Sequence, residues 1–83
     1  MKPQYADSYM KLGLRIAYFR KMRGFTQEQF AEALDKSAGY ISTVEAVNVN
    51  RAISLDTLFD IATLLNVPAY KFLQFDDGTE DGN

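Results

Sequence analysis

The 83-residue chain contains no cysteine and no histidine, and only two prolines. Without cysteine there is no disulfide to staple the fold, and no thiolate to bind a metal or act as a nucleophile. Without histidine the commonest metal ligand and the commonest general base near neutral pH are both missing. An enzyme made from this sequence would have to work with carboxylates, Lys, Ser or Tyr in a fold with little room for a pocket. Glu28 and Glu32, at i, i+4, read as a solvated helix face and not as a catalytic pair. The sequence points to a non-enzyme with no cofactor, no metal and no small-molecule ligand. Long apolar stretches are absent too. No run approaches the roughly eighteen residues of a membrane span, and the N-terminus lacks a signal-peptide core, so a cytoplasmic protein is expected.

What is present fits one small domain. Hydrophobic residues make up 47% and charged residues 24%, too apolar for a disordered chain. At this length the core must be efficient, or oligomerisation must help it. The net charge of -2 hides an asymmetry. Residues 76–83 hold four acids and no base, leaving nine bases against seven acids, or +2, over residues 1–75. Residues 1–23 alone hold six bases and one acid, or +5. The expected organisation is a folded domain over 1–75 followed by a disordered acidic tail over 76–83. Whole-chain charge is therefore a poor guide to partners.

The domain is punctuated as a string of short helices. Leu12, Ile16 and Phe19 lie on one face of a first helix that Gly24 stops. Thr26 with Gln29 forms a capping box, and Phe25 with Phe30 a hydrophobic staple, so a second helix starts at 26 with Phe30, Ala31 and Leu34 inward. Asp35 follows, a residue that tolerates positive φ in a tight turn. Ser37 caps a third helix with Ile41 and Val44 inward. Its remaining faces carry Ala38, Gly39, Ser42, Thr43 and Ala46, small residues where a solvated face normally carries Glu, Lys or Arg. The face is shaped for close approach. Residues 46–53 read as a loop. Ser54 caps a fourth helix with Leu55, Leu58, Ile61, Ala62 and Leu65 on its apolar face, and Pro68 opens a fifth.

A short second helix, a tight turn and a small-faced third helix constitute a helix-turn-helix arrangement. Its groove-facing helix favours short polar side chains, because the major groove is only about 12 Å wide. Residues 12–73 resemble the phage Cro/repressor-type family, the XRE family of bacterial and phage transcriptional regulators. The resemblance is carried by T-Q-E-Q-F-A, Y-I-S-T-V-E and S-L-D-T-L-F-D-I-A, occurring together and in order. It implies an all-α, five-helix bundle of the lambda-repressor-like DNA-binding type, with the helix-turn-helix at helices 2 and 3. It also implies a regulator that binds double-stranded DNA as a homodimer.

Carried over by position, the resemblance assigns Gln27 to a DNA phosphate and Ser37, Ala38, Gly39, Ser42 and Thr43 to base readout. It assigns Lys36 and Tyr40 to the flanking backbone, and Asn48, Asn50 and Arg51 to a second phosphate clamp. Arg20 and Glu45 are implied as an ion pair between helices 1 and 3. The chain departs from the family at Asp35 and Val47, where relatives usually have Gly, and in a stretch from Glu45 to Leu55 about two residues longer than common. Relatives often carry Arg, Lys or Gln where Ala38 and Gly39 stand. Direct readout would then rest on Thr43, Ser42 and Ser37, with Ala38 against a thymine methyl and DNA shape supplying the rest. Tyr70, Phe72 and Phe75 either close the core or form a dimer contact. The alternative function is an antitoxin-like or regulator-sequestering interaction module on the same fold.

Overall fold

The computed structural model describes residues 2–49 and 51–75, so Asn50 and the acidic tail over 76–83 lie outside the described residues. The elements run from a 3-10 turn, Pro3–Tyr5, into α1 (Ala6–Met22), α2 (Gln27–Ala33), α3 (Ala38–Glu45) and α4 (Leu55–Leu65), and end in a second 3-10 turn, Ala69–Leu73. No strand occurs among the described residues. Four α-helices are followed by a short 3-10 helix with Pro68 at its N-cap, at the place where a fifth short helix is expected. Five residues are too few to nucleate and propagate a stable α-helix, and the tighter 3-10 form is usual at this length.

Local chemistry sets the helix starts. The Gln29 N–H donates to Thr26 Oγ1 and the Thr26 N–H to Gln29 Oε1, both at 3.0 Å, completing the capping box of α2. Phe25 and Phe30 meet behind it with ring centroids 6.0 Å apart. Ser37 caps α3 by accepting from the Tyr40 N–H at 3.0 Å, and Ser54 caps α4 by accepting from the Thr57 N–H at 3.1 Å. Three helix ends close in one manner, each on a left-handed residue: Gly24 (φ 83), Asp35 (φ 58) and Asn66 (φ 55). The next residue's N–H then turns back to a carbonyl five positions earlier: Phe25 to Arg20, Lys36 to Ala31, Val67 to Ala62. This double-bonded terminus satisfies carbonyls the helix leaves open. Asp35 thus adopts the left-handed conformation expected of it in the turn between α2 and α3.

Ile16, Phe30, Ile41, Ile61, Leu65 and Phe72 are the large, fully buried side chains, so every helix and the C-terminal turn contribute to one core. Phe72 lies edge-on to Phe19 with centroids 5.1 Å apart. Two expectations change here. Phe72 is completely buried, so it closes the core and is not a dimer contact. Leu55, expected on the inner face of α4, is 64% exposed, because the first turn of α4 has no element packed over it on that side.

α1 meets α3 unusually closely at Gly13. A Cβ on Gly13 would lie 2.2 Å from the carbonyl oxygen of Val44 and 3.3 Å from its carbon. Any side chain there would drive the two backbones apart. The contact fixes the helix that carries the small-residue face against the longest helix of the domain.

Candidate nucleic-acid interface

α3 is anchored from beneath by buried Ile41 and Val44. Facing outward, Gly39 and Ser42 are exposed, and Ala38 and Thr43 are half-buried. A Cβ at Gly39 would find only Ser37 Oγ within 4 Å among the described residues, at 3.9 Å. The ridge of small residues inferred from the sequence is thus present and uncovered among the described residues.

The hydroxyls on this ridge have distinct states. Ser37 Oγ accepts from the Tyr40 N–H, which leaves its own proton to donate outward. The Thr43 hydroxyl donates to the Tyr40 carbonyl at 2.8 Å, so towards an incoming group it offers lone pairs and a methyl. One end of the ridge is set up as a donor and the other as an acceptor.

Arg20 and Glu45 form the expected pair, and its geometry is bidentate. Arg20 Nε donates to Glu45 Oε2 at 2.6 Å and NH2 to Oε1 at 2.9 Å, while NH1 donates to the Phe25 carbonyl at 2.7 Å. The two side chains are only 7% and 6% exposed. Parallel N–H···O bonds of this kind combine charge with fixed direction. The pair binds α1, the α1–α2 turn and the end of α3 into one unit. It also orients a third group: Gln27 Nε2 donates to Glu45 Oε1 at 3.0 Å. Gln27 is half-buried at the start of α2. Its amide is held by one N–H, and the other N–H and the carbonyl oxygen have no partner among the described residues.

Around Tyr40 the structure joins two expected sites. Lys36 Nζ lies 5.2 Å and Arg51 Cζ 4.6 Å from the Tyr40 ring centroid, both within cation–π range. Asn48, in the same loop as Arg51, is exposed. Asn50 lies outside the described residues, so that part of the clamp has no structural account.

Several structural residues were not singled out from the sequence. Gly13 is one, and a glycine inside a helical pattern was the signal for it. The basic N-terminal stretch was noted in the sequence, but the partners of its bases were not. It is not one open cationic face, because four of its six bases have intramolecular partners. Arg23 Nε donates to the Leu65 carbonyl at 2.8 Å and its NH2 to the Asn66 carbonyl at 3.4 Å, capping the end of α4 from α1. Arg15 Nε donates to the Lys71 carbonyl at 3.3 Å, Arg20 pairs with Glu45, and Lys11 pairs with Asp7 at 3.2 Å. Partner carbonyls more than forty residues away leave no local trace in a sequence. An apolar cleft of about 240 Å³ lies between the N-terminal turn, α1, α4 and the C-terminal turn, lined among others by Tyr5, Tyr9, Ile53, Leu55 and Leu73.

A helix-turn-helix family model matches residues 16–72, well over half of the chain. The chain belongs to the XRE-type helix-turn-helix family of transcriptional regulators. These regulators are DNA-binding proteins without enzymatic activity. The chain is 42% identical over 57 residues to the uncharacterized HTH-type transcriptional regulator YazB of Bacillus subtilis (strain 168), covering 69% of this chain and 80% of that protein. Among solved structures it is similar to the restriction-modification controller protein C.AhdI from Aeromonas hydrophila (28% identity, TM-score 0.73, 86% of this chain and 99% of that one). It is also similar to SinR, a master regulator for biofilm formation solved in complex with DNA (27% identity, TM-score 0.68, 75% and 97%). The register of α2 and α3 described above is thus the register of an XRE-type regulator.

Proposed function

We propose that this regulator binds a specific double-stranded DNA site as a homodimer, with α3 in the major groove, and that it acts in the cytoplasm. The observation that carries the reading is the uncovered ridge of Ala38, Gly39, Ser42 and Thr43 over buried Ile41 and Val44, flanked by Lys36 and Arg51. A helix with short side chains can bring its backbone deep into a groove, and flanking cations meet the phosphate walls. Gln27, oriented by Glu45, is placed to donate its remaining N–H to a phosphate. Ser37 supplies a donor and Thr43 an acceptor at base edges, where adenine N6 and cytosine N4 are the amino groups an acceptor reads. The similarity to SinR, solved in complex with DNA, supports the same use of the fold.

Homodimer action rests on area and on apolar exposure. One small module buries too little surface for tight specific binding. Leu55 and Phe59, one turn apart on α4, are 64% and 51% exposed. Leu73 at 51% and Tyr5 at 47% continue the patch across the cleft beside α4, and Tyr70 at 61% is exposed on the same C-terminal turn. Phe75 is half-buried and lines the cleft, so of the three aromatics expected at a dimer contact, Tyr70 and Phe75 are retained in this proposal.

The test is selection of bound duplexes from a random pool, with gel-shift titration of the winners over a range of salt. The expected site has two-fold symmetry, with half-sites about 34 Å or one helical turn apart, and its affinity falls steeply with salt. A chain that retains no duplex at low salt does not act in this way. Sedimentation of Leu55→Lys with Phe59→Lys should show a monomer where the parent is a dimer; identical sedimentation would remove α4 from the interface.

A further inference from the structure

Besides Gln27, the resemblance assigned backbone contacts to two separate places, Lys36 and Tyr40 around the start of α3 and Arg51 in the loop before α4. In the structure these places converge on one aromatic ring. Lys36 comes from the turn and Arg51 from the loop, and both cationic groups lie within 5.2 Å of the Tyr40 ring centroid. Their charged centres are therefore no more than 9.8 Å apart, the sum of 5.2 Å and 4.6 Å. Among the described residues, neither cation is paired with a carboxylate, whereas Lys11 and Arg20 are. Two like charges gathered on one ring without a counterion repel each other, and an anion between or beside them relieves that repulsion.

Tyr40 lies on α3, with its side chain partly buried against the core. The Tyr40 N–H donates to Ser37 Oγ, and the Tyr40 carbonyl accepts from the Thr43 hydroxyl. Its backbone is pinned on both sides by residues of the reading ridge. The Tyr40 hydroxyl makes no hydrogen bond among the described residues. What Tyr40 offers the two cations is its face, where the ring quadrupole attracts positive charge.

We infer that Lys36, Tyr40 and Arg51 act as one phosphodiester-binding clamp, with Tyr40 a positioning residue that sets both cations through its ring face. The clamp couples backbone grip to the register of α3, because Tyr40 is itself a residue of α3 and its main chain is hydrogen-bonded to Ser37 and Thr43. The inference rests on the duplex-binding reading above. It adds that the three residues are energetically coupled and that the tyrosine hydroxyl is not the contact.

A double-mutant cycle on the selected duplex tests it, in the full chain, with thermal melts confirming that each variant is folded. Tyr40→Phe keeps the face and should bind within about twofold of the parent. Tyr40→Leu removes the face and should lose about three- to tenfold in affinity. Arg51→Ala and Lys36→Ala should each flatten the slope of log affinity against log salt by about 0.9. Tyr40→Leu should flatten it as well, which a general loss of stability would not do. Adding Tyr40→Leu to Arg51→Ala should cost clearly less than the product of the two single losses. The clamp is overturned if Tyr40→Phe is as harmful as Tyr40→Leu, if the double variant shows the full product, or if Tyr40→Leu keeps the parent's salt slope. In each of those cases the parent still binds duplex and the regulator reading stands; a parent that binds no duplex removes both.

Discussion

Replacing Glu45 with Gln exchanges two oxygens for one oxygen and one NH2 without changing the volume. In the native arrangement Glu45 accepts from Arg20 Nε, Arg20 NH2 and Gln27 Nε2. A glutamine there can accept through one atom only, and its NH2 must face a guanidinium or amide donor. Arg20, 7% exposed, keeps only neutral acceptors, the Phe25 carbonyl and the one amide oxygen left at 45, and loses its countercharge. Removing one partner of a buried ion pair costs about 3–5 kcal/mol. The whole domain, at 83 residues, has roughly 4–12 kcal/mol to lose. Each kcal/mol lowers the melting temperature of a domain this size by about 4–8 °C, so a fall of at least about 12 °C is expected. Far-UV circular dichroism against temperature and urea measures it. The control is Arg20→Met with Glu45→Leu, which removes both charges and should recover most of the stability, since buried pairs are often replaceable by apolar groups. That control should still bind DNA poorly, because Gln27 has lost the acceptor that orients it. A Glu45→Gln variant melting within about 5 °C of the parent would refute the reasoning, since a desolvated arginine cannot lose its countercharge that cheaply.

Gly13→Ala should lower the urea midpoint despite alanine's better helix propensity: overpacking against the Val44 carbonyl costs about 1–3 kcal/mol against a gain of about 1 kcal/mol. An unchanged or raised midpoint would mean that α1 and α3 can separate freely. Asp35→Val should lose about 1–2 kcal/mol in the same assay, because a β-branched residue at positive φ is strained, while Asp35→Gly should stay close to the parent. Equal midpoints for the two would show that the left-handed turn is not populated. Thr43→Val keeps the shape and removes the outward lone pairs. In duplex selection it should relax preference at one position per half-site, at a cost of about 1–3 kcal/mol on the original site; an unchanged selected sequence would take Thr43 out of base readout.

The helix starts were legible because their causes are local. Thr26 with Gln29, Ser37 and Ser54 act on groups three residues away, so a window of a few letters contains the whole interaction. The inward pair Ile41 and Val44, and with it the outward ridge, followed from helical spacing. The Arg20–Glu45 pair came from the family register and not from any rule of spacing across twenty-five residues. What escaped the sequence depended on distant surroundings. Leu55 has the spacing of a core residue, but no element covers it. Phe72 and Tyr70 are both aromatic and only two residues apart, yet one is fully buried and the other 61% exposed, and only the course of the C-terminal turn decides between them. Gly13 gave a weak signal, but the carbonyl it makes room for is thirty-one residues away. Arg15 and Arg23 read as part of a basic end, and their partners turned out to be main-chain oxygens near the other end of the domain.

The empty space before Gly39 has a consequence for how such a regulator changes its target. Behind α3, buried Ile41 and Val44, the close approach at Gly13 and the Arg20–Glu45 pair hold it against the rest of the domain. In front of it a Cβ at position 39 would find only Ser37 Oγ near it among the described residues, at 3.9 Å. On the reading proposed above, binding preference and folding would be written on opposite sides of one eight-residue helix, and single substitutions at 38, 39 or 42 would change the operator while the scaffold stays as it is.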